Sequence, residues 1–338
     1  MLFGKQSWSF ANAPVILATG VTGGTYEAEG PLASDFDLLY KDDYANEESH
    51  EKAHRKLLED AVEIALKKET VSKEEIQFFI GGDLINQMTP TSFALRKVGI
   101  PTMGVYGACA TAMEGLALAA FIVNHKGAEN ILTGASSHKG AVEKQFRYPN
   151  EYGGQKPPTS QRTVTGAGVA LVSAKKEQGI SYPTLESATI GKVIDMGLSD
   201  PYNMGGAMAP AAVDTIMAHH RDLGLGPNYY DAVITGDLGS NGRTIAYDLF
   251  QEKGFLIEEQ RFMDCGTMIF SKDQQVFAGA SGAGCSATVL YGHLLNEMKK
   301  GTYRRILLVS TGALLSPLTF QQNESIPCTA HAVAIHFR

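Results

Sequence analysis

The chain has 338 residues, 44% of them hydrophobic and 19% charged, enough to bury a large core in one domain or two closely packed halves. With 29 basic against 36 acidic side chains the net charge is -7, which leaves no basic field to hold a nucleic acid. The four cysteines, Cys109, Cys265, Cys285 and Cys328, form no CxxC pair and no zinc-spaced Cys/His cluster, so they read as reduced thiols of a cytosol-like compartment.

In chain order, the apolar stretch Ala13 to Val21 falls well short of the roughly 18 residues that span a bilayer and lacks a basic leader and a cleavage site. It reads as a first strand, Val15 to Thr19, and a soluble chain without an export signal is expected. Helix Glu47 to Lys68 follows, then strand Ile76 to Ile80, helix Thr91 to Val98, strand Met103 to Tyr106, and helix Cys109 to Lys126 closed by Gly127. Strands Asn130 to Thr133 and Val164 to Val172 come next, separated by a long insertion, Glu143 to Thr163. Then come helix Ala207 to Leu223, strand Ala232 to Thr235, helix Arg243 to Lys253, helix Cys285 to Lys300 closed by Gly301, and strands Arg305 to Ser310 and His331 to Phe337. Short uncharged strands alternating with helices predict the α/β class, with a largely parallel sheet covered on both faces. His125 falls at a helix end, and His219 and His220 fall late in a helix, where a cation suits the macrodipole. The Gly-rich turn Asp200 to Ala207 lacks the spacing and the lysine of a phosphate-binding loop.

The chain also repeats itself. Ile80-Gly81-Gly82-Asp83-Leu84 is echoed by Ile234-Thr235-Gly236-Asp237-Leu238, and Gly107 to Ala112 by Ser281 to Ser286. The same offset separates Cys109 from Ala283 and Gly127 from Gly301. Ile131 to Ser136 matches Leu308 to Ala313, and Ala167 to Leu171 matches His331 to Ile335. Four matches in one order predict a tandem duplication, with halves 1–175 and 176–338.

The duplication singles out Cys109, directly after the Val105-Tyr106-Gly107 strand end. A thiol opening a helix is exposed to unpaired backbone N–H groups that favour the thiolate; the other reading is a small buried packing residue. The duplicated pattern and the run Gly107-Ala108-Cys109-Ala110-Thr111-Ala112-Met113-Glu114-Gly115 resemble the thiolase superfamily, whose thiolases and ketoacyl synthases carry a nucleophilic cysteine here. The resemblance covers nearly the whole chain and implies a thiolase-like fold, two α/β halves in αβαβα layers.

Condensing enzymes of that superfamily draw a base and oxyanion donors from a His-x-x-Asn-x-Arg run and a Gly-Asn-x-x-Ala run. Here Asn241-Gly242-Arg243 fits the tail of the first, with Leu238 in the His place. Gly282 to Ala287 fits the second, with Ala283 in the Asn place. Leucine and alanine neither take a proton nor donate to an oxyanion, and one lost donor costs about 10²- to 10³-fold in rate.

The runs Gly81 to Phe93, Thr133 to His138 and Lys144 to Thr159 further resemble a non-catalytic sporulation branch of the superfamily. That resemblance implies binding of dipicolinate (dipicolinic acid) rather than bond making, in an assembly that moves it across the spore inner membrane in sporulation and germination. It implies no cofactor, with calcium as a companion of the ligand left open. Membrane-spanning subunits of the same transport complex are the implied partners, through which the chain would sit on that membrane. A homodimer through Met103 to Tyr106 is implied by analogy.

A flat dicarboxylate calls for Arg or Lys and an aromatic face. In the insertion, Lys144, Arg147, Lys156 and Arg162 outnumber Glu143 and Glu151, with Tyr148 and Tyr152 as aromatics; the other reading is a surface or subunit-contact loop. Cys109 is expected on the pocket floor. His138, at a strand-to-loop junction, is expected to line the pocket and is the best candidate base for the competing reading, an acyltransferase or thioesterase using Cys109. Asp83 and Asn86, with Gln87, either contact the ligand or cap the helix near Thr91.

Overall fold

The computed structural model describes residues 1–146, 156–177 and 179–338. Runs of Val, Ile, Leu, Ala and Gly without charges form strands because such residues suit a surface buried on both faces. β1 (Val15–Gly23), β2 (Phe78–Gly82), β3 (Thr102–Gly104), β4 (Asn130–Ser137) and β5 (Gly166–Ser173) pair in the order β1-β5-β4-β2-β3. β6 (Pro183–Ile190), β7 (Ala232–Thr235), β8 (Phe262–Asp264), β9 (Arg305–Ala313) and β10 (Cys328–Phe337) pair as β6-β10-β9-β7-β8, the same order again. The two runs meet where Thr184 pairs with Val15, beside a short strand Ser7–Ser9 that also pairs with β6.

The sheet is mixed rather than largely parallel. β2 runs parallel to β3 and β4, and β7 parallel to β8 and β9, but β5 and β10 run antiparallel to both their neighbours. The sequence could not show this, because an apolar strand buried on both faces looks alike in either direction. β6 and β8 also escaped the sequence reading. Pro183 and Glu186 interrupt the apolar pattern of the first, and the second is three residues ending in an acid.

Helices α1 (His50–Lys68) and α2 (Thr89–Val98) cover the outer face of the first run. α5 (Met204–Leu223) and α6 (Gly239–Glu252) cover the outer face of the second. Between the sheets lies α3 (Thr111–Asn124), against β2 and β4 on one side and β9 and β10 on the other. It is apolar along most of its surface, Glu114 excepted, with Met113, Leu116, Ala117, Ala120 and Val123 buried, as suits a central helix. Each large side chain there contributes roughly 1.5–3 kcal/mol by burial. α7 (Ala283–Thr288, continuing through a π turn, Val289–Leu294, into Leu295–Lys300) crosses α3 and packs on β4 and β5. The layers therefore read αβαβα. Among the described residues no helix is long and apolar enough to cross a membrane.

α4 (Lys139–Phe146) replaces the start of the expected insertion loop. α3 ends at Asn124, and two residues on it is Lys126 that takes the left-handed conformation (φ 61°) expected of Gly127, whereas Gly301 does end α7 that way (φ 85°). His219 is not a dipole-facing cation. Its Nδ1 meets the Thr189 hydroxyl and its Nε2 the Tyr230 hydroxyl, each at 2.7 Å, and burial pushes its pKa down to about 3. A histidine held neutral stabilises the fold above its unfolded pKa, and that contribution is lost as pH falls from about 6.5 toward 3. His219→Gln is thus expected to cost about 1–3 kcal/mol near neutrality, with the gap to wild type narrowing at acid pH. Urea denaturation at both pH values checks this; a gap that widens at acid pH would contradict it.

Candidate functional site

β3 ends at Gly104, and the chain then turns through Ala108–Ala110 before α3 begins at Thr111. Cys109 lies in that turn, two residues ahead of α3, and not at the helix's first position as the sequence suggested. Ala108–Ala110 form a separate 3₁₀ turn, entered through Ala108 at a left-handed φ of 51°. Such a conformation costs a non-glycine residue about 1–3 kcal/mol. The Thr111 hydroxyl ties the turn down by accepting from Gly107 N at 3.1 Å and donating to Ala108 O at 2.7 Å.

Cys109 is partly exposed at the floor of a narrow cleft that opens to solvent. Tyr106, Leu84, Val142, Phe146, Met204 and Leu315 give it apolar and aromatic walls. The lining also includes Thr163, Ser281 and one carboxyl, Glu143. Neither arginine nor lysine lines it among the described residues, contrary to the expected basic pocket. Burial drives the Tyr106 hydroxyl up to about 12, so it stays a neutral hydrogen-bonding group.

Behind the floor lies a residue whose role the sequence reading passed over. Asp237 accepts a hydrogen bond from the Thr311 hydroxyl at 2.7 Å and one from Gly282 N at 3.0 Å, and the Cys109 thiol is close enough to hold its carboxyl down. Gly282 approaches in a conformation (φ 107°) open to glycine, and a Cβ there would meet the Ser137 hydroxyl at 2.7 Å. Burial pushes the Asp237 carboxyl up to about 7; the hydrogen bonds oppose this and the nearby Asp264 adds to it. Asp264 accepts from the Thr235 hydroxyl at 2.7 Å, Leu238 N at 2.8 Å and Gly239 N at 2.9 Å, and burial lifts it to about 6. Asp237 was visible in the sequence only as the echo of Asp83.

The other expected residues scatter. Asp83 is fully buried, accepting from Ile85 N at 2.7 Å, Thr91 N at 2.9 Å and the Thr91 hydroxyl, so it caps α2 instead of facing the cleft. Asn86 is exposed and exchanges hydrogen bonds with Gln145 at 3.2 Å, tying the end of β2 to α4. Lys156 pairs with Glu143 at 3.2 Å and so stands beside the cleft wall. Arg162 turns away. The short strand Arg162–Thr163 pairs with Ala280–Ser281, so alternate side chains point to opposite faces: Thr163 lines the cleft and the Arg162 guanidinium lies 3.6 Å over the Tyr26 ring. Arg147, Tyr148 and Tyr152 lie outside the described residues.

His138 is neither exposed nor available as a base. Its Nδ1 accepts from Gly140 N at 3.1 Å, which leaves the ring proton on Nε2 to donate to Asp43 O at 2.7 Å. Burial, with His54 and His50 close by, pushes its pKa down to about 4. It is absent from the cleft lining. Leu238 and Ala283 are both fully buried in the core. Among the described residues no group of three or more His, Cys, Asp or Glu is arranged to hold a metal ion.

Two five-stranded runs of one order, a helix-filled middle layer and a cysteine turn at the cleft floor define a thiolase-like fold. Solved structures agree: cerulenin-bound OleA of Xanthomonas campestris superimposes with a TM-score of 0.61 at 14% identity, covering 96% of this chain and 97% of that one. The 3-oxoacyl-[acyl-carrier-protein] synthase III of Aquifex aeolicus gives 0.59 at 13%, covering 96% and 99%. Human mitochondrial 3-ketoacyl-CoA thiolase gives 0.59 at 12%, covering 96% and 98%. At such identities the likeness speaks for the fold alone. Within that fold the chain belongs to the stage V sporulation protein AD (SpoVAD) family, whose model matches residues 4–336. Stage V sporulation protein AD of Bacillus subtilis (strain 168) is 44% identical over 332 residues, 98% of this chain and 97% of that protein.

Proposed function

We propose that the cleft over Cys109 binds dipicolinate, and that the chain serves as the ligand-binding, non-enzymatic subunit of an assembly carrying this acid across the spore inner membrane. The observation that carries the reading is the cleft itself. Tyr106 and Phe146 with Leu84, Val142 and Leu315 offer a flat ring the faces it needs. Lys156, 35% exposed beside Glu143, can turn its ammonium toward a ligand carboxylate. By the resemblance of their sequence runs, Leu238 and Ala283 fall in the places where a condensing enzyme carries its base and an oxyanion donor, and His138 has both nitrogens engaged.

With no membrane-crossing helix among the described residues, action at a membrane needs docking on spanning partners. β3 is a sheet edge with all three residues exposed, and antiparallel pairing of two such edges would build the proposed homodimer. The competing reading, acyl transfer through Cys109, draws on one observation, the closeness of the thiol to the Asp237 carboxyl.

Titration calorimetry with dipicolinate, with and without calcium, is expected to show saturable heat, weakened about tenfold in Lys156→Ala. No binding at millimolar ligand would sink the reading. Incubation with acyl-CoA thioesters followed by intact mass is expected to leave Cys109 unmodified; a stable adduct would favour the enzyme.

A further inference from the structure

The surroundings of Asp237 pose an electrostatic problem for any anionic ligand. Glu143 on the cleft wall has Lys156 as its counter-charge at 3.2 Å. Asp237 is one hydrogen bond behind the floor, bonded to N of the lining residue Gly282 and close to the Cys109 thiol, and a second carboxyl, Asp264, acts on it. Four thiols also feel Asp237: Cys109 from the turn, Cys265 after β8, Cys285 on α7 and Cys328 on β10. An ionised Asp237 would repel a carboxylate seated on Cys109, in a buried setting where water screens little.

We propose that the cleft takes up a proton together with its anionic ligand, and that Asp237 holds that proton. The inference rests on the dipicolinate reading. Of the two coupled carboxyls, Asp264 is the better supplied, with two backbone N–H groups and a hydroxyl, so it retains its charge longer and Asp237 accepts the proton. Protonated, Asp237 can return a hydrogen bond toward the thiol and presents a neutral floor. Linkage makes the effect reciprocal: the ligand raises the proton affinity of Asp237, and protonation raises the affinity for the ligand. An elevated pKa near neutrality places the effect in a useful range.

The test is calorimetry of the whole chain with dipicolinate at about pH 6, 7 and 8, each in two buffers of different ionisation enthalpy, which counts the protons exchanged. Expected is uptake that grows above neutrality toward about one proton per site, with affinity falling up to about tenfold per pH unit. In Asp237→Asn the uptake disappears and the affinity becomes the same at both ends of the range. Wild-type binding without proton uptake, or uptake that persists in Asp237→Asn, overturns the proposal while leaving the dipicolinate reading intact. No heat at any pH overturns both. The proton count on the wild-type chain decides the matter even where the variant folds poorly.

Discussion

Gly312→Ala is expected to destabilise the protein by about 3 kcal/mol and to displace Cys109 from the cleft floor. Gly312 sits near the end of β9, and a Cβ built on it would lie 2.1 Å from Gly107 O and 3.0 Å from Ala110 N. Both contacts are backbone atoms of the cysteine turn, so no flexible side chain can yield. The turn is already strained at Ala108, and pushing it off β9 would also pull on the Thr111 hydroxyl bonds that close it. Guanidinium denaturation measures the first effect and ligand titration the second. A variant within about 0.5 kcal/mol of wild type, binding normally, would show that β9 does not press on the turn.

Asp264→Ala is expected to cost about 3 kcal/mol or more, because it orphans the Thr235 hydroxyl and the N–H groups of Leu238 and Gly239 in a site without water access. The penalty should depend on pH. The folded-state pKa of Asp264 is raised to about 6, so its contribution is full below the unfolded value of 3.8 and declines as pH rises through about 6. The gap between wild type and variant is therefore expected to be wider near pH 5 than near pH 8. Denaturation at both values checks it, and a loss under about 1 kcal/mol at either would rule out the capping role.

How much of this was legible beforehand depended on whether a residue's work is local. Strands such as Ala232–Thr235 and helix α3 announce themselves through uninterrupted apolar runs, and Cys109 through its place in a repeat. β6 hid behind Pro183 and Glu186, and α4 behind the polar character of the residues that follow it. Arg162 looked like a ligand cation because composition does not reveal which way a two-residue strand faces. His138 looked like a base because the carbonyl of Asp43 that occupies its Nε2 comes from 95 residues earlier. Asp237 was missed for a related reason: it showed in the sequence only as the echo of Asp83, and its partners Gly282 and Thr311 lie 45 and 74 residues further on.

That pair shows what a doubled architecture allows. In register with the neighbouring strand, Gly81 faces Gly104 in the first run, and Thr235 faces Asp264 in the second. Where β3 offers only a glycine, Asp83 must hold the start of the next helix itself. Where β8 offers Asp264, the anchoring of the helix passes to it, and Asp237 instead holds Gly282 N and the Thr311 hydroxyl beside the thiol. One aspartate, written twice, caps a helix in one half and backs the cleft in the other.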